Sequence, residues 1–205
     1  MTVRITKPEF NLKEKLAELD YSRVPYQKMP AGSIIQLVAG ETEYRTATSS
    51  GTYQPTDMFA TISPKFASSQ IYITLGGDGN NNATGNQMYM TYYRSIDGGD
   101  FSNLATNGRN DSNAVTGNAG FAMINGHNSR IHVPVAMPFL DTPNTIQPVT
   151  YKVYIRKTTS AGSGNVEFPA NDGYQRSRMF LFEIAGGGIE SVAVGSWVVI
   201  LLELS

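Results

Sequence analysis

From Ala31 onward the chain is a succession of short runs rich in β-branched and aromatic residues. They are SIIQLVA (33–39), MFATI (58–62), QIYITL (70–75), MYMTYYRS (88–95), GFAMI (120–124), RIHVPVAM (130–137), VTYKVYIR (149–156), RMFLFEI (178–184) and SWVVILLEL (196–204). Clusters of turn formers such as DGNNNATGN, DGGDFSN, LDTPNT and AGSGN separate most of them. In MYMTYYRS and VTYKVYIR alternate residues face opposite sides of a strand. Short strands with such connections predict an all-β antiparallel sandwich or barrel. Pro134 interrupts RIHVPVAM and cannot donate to a ladder, so that run is expected at a sheet edge or a bulge.

Before Ala31 the period changes. PEFNLKEKLAELD (8–20) predicts a helix, with Leu12, Leu16 and Leu19 on one stripe and Lys13, Glu14, Lys15 and Glu18 facing elsewhere. Thr6 with Glu9, or Asn11 with Glu14, has the spacing of a capping box. A helix of about ten residues is marginal alone, so it must dock on something. The stripe, with Phe10, is expected to dock on a partner, because YSRVPYQKM (21–29) reads as a Pro-containing tether. The expected organisation is therefore a helical anchor and tether over 1–30 and a β-sandwich head over 31–205.

Charge sharpens that boundary. The 205 residues carry a net charge of −1, and 16% are charged against about 25% in ordinary domains. Residues 1–28 hold ten of the 33 charged side chains, so the remainder is charge-poor. Its polarity comes from Gly, Asn, Ser and Thr, about a third of the chain. Near-neutral charge argues against a nucleic-acid partner. No apolar run of about 18 residues offers a membrane span, and no signal-peptide core is visible at the N-terminus. Residues 76–129 contain 11 of the 15 asparagines and half the glycines. Such adaptable polar loops, at 76–87 and 97–119, are the expected display surface, with Asn80, Asn82, Asn103, Asn107, Arg109 and Asn113 as receptor-contact candidates.

Candidate chemistry is sparse. There is no cysteine, which excludes disulfides, thiolate metal sites and a cysteine nucleophile. His127 and His132 are the only imidazoles; the first reads as a loop hydrogen-bonder and the second as a satisfied strand residue. Asp97 and Asp100 have the look of a glycosidase pair, yet SIDGGDFSN suits a tight turn better. Asp78, Asn80 and Asn82 place oxygens at alternate positions as a calcium loop does, but the twelfth position is Tyr89, not an acid. No GxSxG surrounds any serine. Tyr89, Tyr92, Tyr93, Tyr151, Tyr154 and Trp197 could stack on sugars, against the plainer reading of core or contact aromatics. No catalytic residue, metal site or cofactor is therefore expected. WVVILLEL is too apolar for an exposed edge strand, so Trp197, Val199 and Leu201 are expected at a subunit interface or within a sheet.

Four segments, MPAGSIIQLVAG, ATISPKFASSQIYITL, MTYYRSIDGGDFSNL and FLDTPNTIQPVTYKVYIR, stand in an order that resembles a group of tailed-bacteriophage virion proteins, particularly of aquatic bacteria. In that group a PAGS(I/V)-type strand is followed by "ATI-P-S-SKI-I", a "Y-R-G" segment with a loop, and "LD-P-T--VTYKV". Their terminal "TLMEI" is loosely matched by Met179–Ile184, and TKPEFNLKEKLAELD is similar to the leading segments of phage fibre-like proteins. GGGIESVAVGSWVVILLELS extends beyond the usual stop. The resemblance covers about two-thirds of the chain. It implies a jelly-roll-like sandwich, often a homotrimer, displayed on a virion with no cofactor, docked on capsid or tail components, and able to meet a host surface glycan. The resemblance leaves fibre, knob and capsid decoration (cement) open; the Asn/Gly/Ser-rich loops put a fibre or host-attachment role first, and the Asp97–Asp100 pair leaves a glycan-degrading tailspike enzyme behind both.

Overall fold

The computed structural model describes residues 26–105, 120–129, 131–159, 163–170 and 176–186. The expected helix over 8–20, with Phe10, Leu12, Leu16 and Leu19, lies outside the described residues. So does the apolar run 196–204, with Trp197, Val199 and Leu201. Among the described residues, a 3-10 turn at Tyr26–Lys28 is followed by twelve strands. These are β1 (Ile34–Thr42), β2 (Thr46–Thr48), β3 (Gln54–Ile62), β4 (Gln70–Asn81), β5 (Gln87–Ile96) and β6 (Ser102–Asn103). They continue with β7 (Ala122–Asn125), β8 (Val133–Ala136), β9 (Phe139–Asp141), β10 (Val149–Lys157), β11 (Val166–Phe168) and β12 (Ser177–Ile184).

The strands form two antiparallel sheets. One runs β1-β12-β4 with β8 and β9 also on β4, and β11 and β2 continuing from it; the other runs β3-β10-β5 with β6 and β7 on β5. With β6 and β7, and β8 and β9, each taken as one interrupted lane and the short β2 and β11 set aside, the described strands draw eight main lanes. Numbered along the chain, the first sheet orders them 1-8-3-6 and the second 2-7-4-5. That order is the jelly roll, two interlocked Greek keys, and it decides for a sandwich over an up-and-down barrel. Pro134 sits in β8, which among the described residues pairs only with β4, as an interrupted run predicts.

Alternation builds the core. In β3 the side chains of Thr56, Met58, Ala60 and Ile62 point inward while Pro55, Asp57, Phe59 and Thr61 face out. In β10 Val149, Tyr151, Val153 and Ile155 are inside. They meet Ile71, Ile73 and Leu75 of β4 and Met179 and Leu181 of β12. Each fully buried aliphatic side chain contributes about 1.5–3 kcal/mol. Two polar struts cross between the sheets. The Tyr92 hydroxyl donates to the Met137 carbonyl at 2.6 Å. Asp141 of β9 accepts from Arg94 at 2.9 Å and from the Tyr151 hydroxyl at 2.7 Å. The outermost strands β1 and β3 pass so closely that a Cβ on Gly40 would lie 2.1 Å from the Phe59 carbonyl oxygen. Only glycine fits there.

Candidate functional site

The jelly roll has two ends with different occupants. At the near end lie the connections 63–69, 97–101 and 142–148, together with both boundaries of the described sandwich. Gly32 donates to the Ala185 carbonyl at 3.0 Å and Ala185 to the Ser33 carbonyl at 2.8 Å, so residues 26–33 and 185–186 lie side by side. Tyr26 packs edge-on against Phe66 with ring centroids 5.4 Å apart. At the far end lie residues 43–53, 82–86, 126–129, 131–132, 158–159, 163–165, 169–170 and 176. The described parts of the two expected display stretches lie apart: the turn after β5, 97–101, is at the near end and residues 82–86 are at the far end, while 106–119 lie outside the described residues.

At the near end one carboxylate gathers two segments onto β12. Glu183, fully buried on β12, accepts from Gln36 Nε2 at 2.5 Å, the Lys65 amide at 2.6 Å and Ser69 Oγ at 2.6 Å. Nearby, Asp97 and Gly98 have φ of 51° and 72°, and the Gly99 amide donates to the Ile96 carbonyl at 3.0 Å. This is the primed hairpin turn that Asp-Gly favours, so Asp97 shapes the turn as the spacing of SIDGGDFSN suggests.

At the far end the asparagines staple the fold. Asn81 donates to the carbonyls of Asn86 and Ile124 at 3.1 and 2.9 Å, and accepts from the Ala83 amide at 3.0 Å. Asn80 donates to Glu167 at 3.1 Å and accepts from the Ile131 amide at 3.1 Å. Asn82 accepts from the Asn165 amide at 2.6 Å. Glu167 also receives Arg45 at 3.3 Å. Asp78 pairs with His132 Nδ1 at 2.5 Å, so this histidine is satisfied, though it stands just ahead of β8.

These contacts revise the display candidates. Asn80 is a fully buried strand residue, not a loop residue presented to solvent. Asn82 is half-buried against Asn165, and Asn103 turns inward to accept from Thr91 Oγ1 and the Ala105 amide. Asn107, Arg109 and Asn113 lie outside the described residues. What the far end does expose is Tyr44, Thr84, Gly85, His127, Asn128 and Ser129. Beside them Arg176 stands between two open hollows. One, of about 440 Å³, includes Glu43, Tyr44 and Asp57; the other, of about 380 Å³, includes Asp78, His132 and Pro134. The carboxyl of Glu41 is held below its ordinary value by hydrogen bonds from Arg178 and Arg176. Such a surface suits polar, hydrogen-bonding recognition. The isolated residues Tyr44 and Arg176 gave no signal in the sequence, since neither belongs to a motif.

The outer faces differ as well. On the second sheet Tyr93 stacks on Tyr154 at 3.8 Å, Phe101 and Tyr53 flank that pair, and Arg156 lies between Tyr53 and Tyr89 at 5.2 and 4.7 Å from the ring centres. Lys152 covers Phe59 at 5.9 Å. Alternation thus divides the candidate tyrosines: Tyr93, Tyr154 and Tyr89 lie on this outer face, while Tyr92 and Tyr151 are core. Burial drives the phenol pKa of Tyr92 well above the ordinary range, and burial with the neighbouring Asp141 carboxylate does the same to Tyr151. On the first sheet the outer face carries Leu37, Phe180, Phe182 and Tyr72, and among the described residues no cation lies over their rings.

Among the described residues no three His, Cys, Asp or Glu side chains gather as a metal-ligand set, and no helix is long and apolar enough to cross a membrane. No protein-family model matches the chain, and no curated protein sequence matches it. Eleven chains of solved structures do. One of them is the infectious bursal disease virus VP2 subviral particle, at 13% identity and a TM-score of 0.33. The match covers 76% of this chain and 39% of that one, so the chain spans well under half the length of the protein it matches. Overlap of that degree carries no argument about fold or role, and the jelly-roll assignment stands on strand order.

Proposed function

We propose that the chain is a non-enzymatic structural protein of a tailed-phage virion, docked at the near end of its sandwich and presenting the far end outward as a fibre or host-attachment component. The carrying observation is the separation of the two ends. Residues 26–33 and 185–186, through which both terminal segments join the sandwich, lie together, while among the described residues 43–53, 82–86 and 126–129 gather at the opposite end. The order of the segments that resemble phage virion proteins supports the same reading. The partner at the near end is a capsid or tail component, engaged by the leader through Phe10, Leu12, Leu16 and Leu19. The working form is a homotrimer, and the outward partner is a host surface glycan met by polar side chains and by Tyr44. Within this reading capsid decoration is the alternative position on the particle.

The test is deletion of residues 1–20. A folded, soluble head that no longer joins particles is the expected result, and normal incorporation of the truncated chain rejects the docking assignment. Labelled full-length protein seen on tails or stalks supports attachment. Labelling at capsid symmetry axes instead assigns it to decoration.

A further inference from the structure

We infer that residues 189–204 of this chain fold back over the outer face of its own first sheet, across β1, β12 and β4. The inference stands whether or not the chain belongs to a virion. The face presents an apolar row, in which Leu37, Phe182, Tyr72 and Leu140 stand opposite one another in the strand register. The rings of Tyr72 and Phe182 are 6.2 Å apart, and those of Phe182 and Phe180 6.5 Å. Ile34 opposite Ile184 extends the surface to the near end. Ile34, Leu37 and Tyr72 keep 57%, 54% and 37% of their surface exposed. A solvated sheet face normally carries polar side chains, and a contiguous apolar one marks a place that something covers.

The course of the chain indicates what covers it. β12 ends at Ile184, on the near-end rim of this surface, and Ala185 is fixed against Ser33. Gly186, Gly187 and Gly188 follow, and consecutive glycines permit a sharp reversal. Beyond them, eleven of the sixteen residues 189–204 are apolar and only Glu190 and Glu203 are charged. Two strand-like runs, 189–194 and 197–204, flank Gly195–Ser196, a two-residue hairpin signal. A lone hairpin is marginal in water and needs a surface to lie on. Six residues at about 3.3 Å each reach about 20 Å, the span of β12 from Arg178 to Ile184. The leader joins at the same end but fits less well. It carries ten charges in residues 1–28, whereas among the described residues this face offers charge only at its far rim, where Glu41 already holds Arg178.

Trp197 is the only tryptophan and therefore reports on this segment directly. In the full-length protein its emission should be blue-shifted and shielded from acrylamide. Leu37→Asp with Phe182→Asp, both outward-facing, should move the emission to that of a solvent-exposed indole while far-UV circular dichroism stays unchanged. Solvent-like emission in the unsubstituted protein overturns the inference. Because the chain has no cysteine, Leu37→Cys with Val199→Cys can then be joined by a short thiol cross-linker. An adduct at single-chain mass is expected; an adduct only between two chains, or none, overturns it.

Discussion

The two ends of the sandwich are held by different sets of polar groups, carboxylates alone at the near end and carboxylates with side-chain amides at the far end. At the near end the hubs are carboxylates, Glu183 and Asp141, which only accept. At the far end the Glu167 carboxylate is joined by the side-chain amides of Asn80 and Asn81, each of which donates and accepts at once. The difference follows from what each end must fix. The near-end segments 33–36 and 63–69 approach Glu183 with donors, so one acceptor satisfies them all. The far-end connections offer both carbonyls and amides, and only a group with both functions can bridge them. The abundance of asparagine is thus partly structural, and a run that looks built for recognition is spent inside the fold.

Removing each hub separates the two ends. Glu183→Ala, which removes the shared acceptor of the buried Ser69 hydroxyl and of two part-buried donors, should have the largest effect, a loss of about 3 kcal/mol in denaturant unfolding. Its hydrogen-exchange signature should concentrate in residues 63–70 and 33–36. Glu183→Gln should recover part of the loss; full recovery would show that the hub does not depend on accepting alone. At the far end Asn81→Ala should cost about 2 kcal/mol and loosen 82–86 and 124–126 without disturbing the near end. Equal loosening of both ends would erase the distinction.

Alkaline titration tests the core that joins the ends. The folded-state pKa of Tyr92 and Tyr151 lies above the ordinary phenol value of about 10. The folded protein therefore keeps protons that the unfolded chain gives up, so stability is whole below about pH 10 and falls as pH rises beyond it. Phenolate absorbance should show these two ionising only together with unfolding. Smaller still, Gly98→Ala should cost about 1 kcal/mol, because φ there is positive. Arg176→Ala breaks only exposed ion pairs with Glu41 and Glu43. It should leave the thermal midpoint unchanged while altering any binding at the far end.

Strand positions were legible where alternation ran for five or more residues, as in β3, β5, β10 and β12. β2, β6, β9 and β11, at two or three residues each, carry no period to read. The reading of β4 stopped at Leu75 because Gly76–Asn82 has the composition of a turn. Its pairing with β8 and β11 carries the ladder through Asn81. Asn80 was invisible as a buried residue for the same reason, since its partner Glu167 lies 87 positions away. The hollows beside Arg176 are assembled from four separate strands and connections, which no local pattern announces.

The strand order also imposes a timetable on the newborn chain. β12 is the last described strand to leave the ribosome, yet it lies between β1 and β4, and its pair Glu41–Arg178 spans 137 residues. The second sheet has all its strands once β10 has emerged, whereas the first waits with an empty lane at its centre. Closing so long a span is slow relative to local pairing. Until Ser177–Ile184 arrives, β1 and β4 each face that gap with unpaired backbone, so the half-made molecule is the state most exposed to wrong partners.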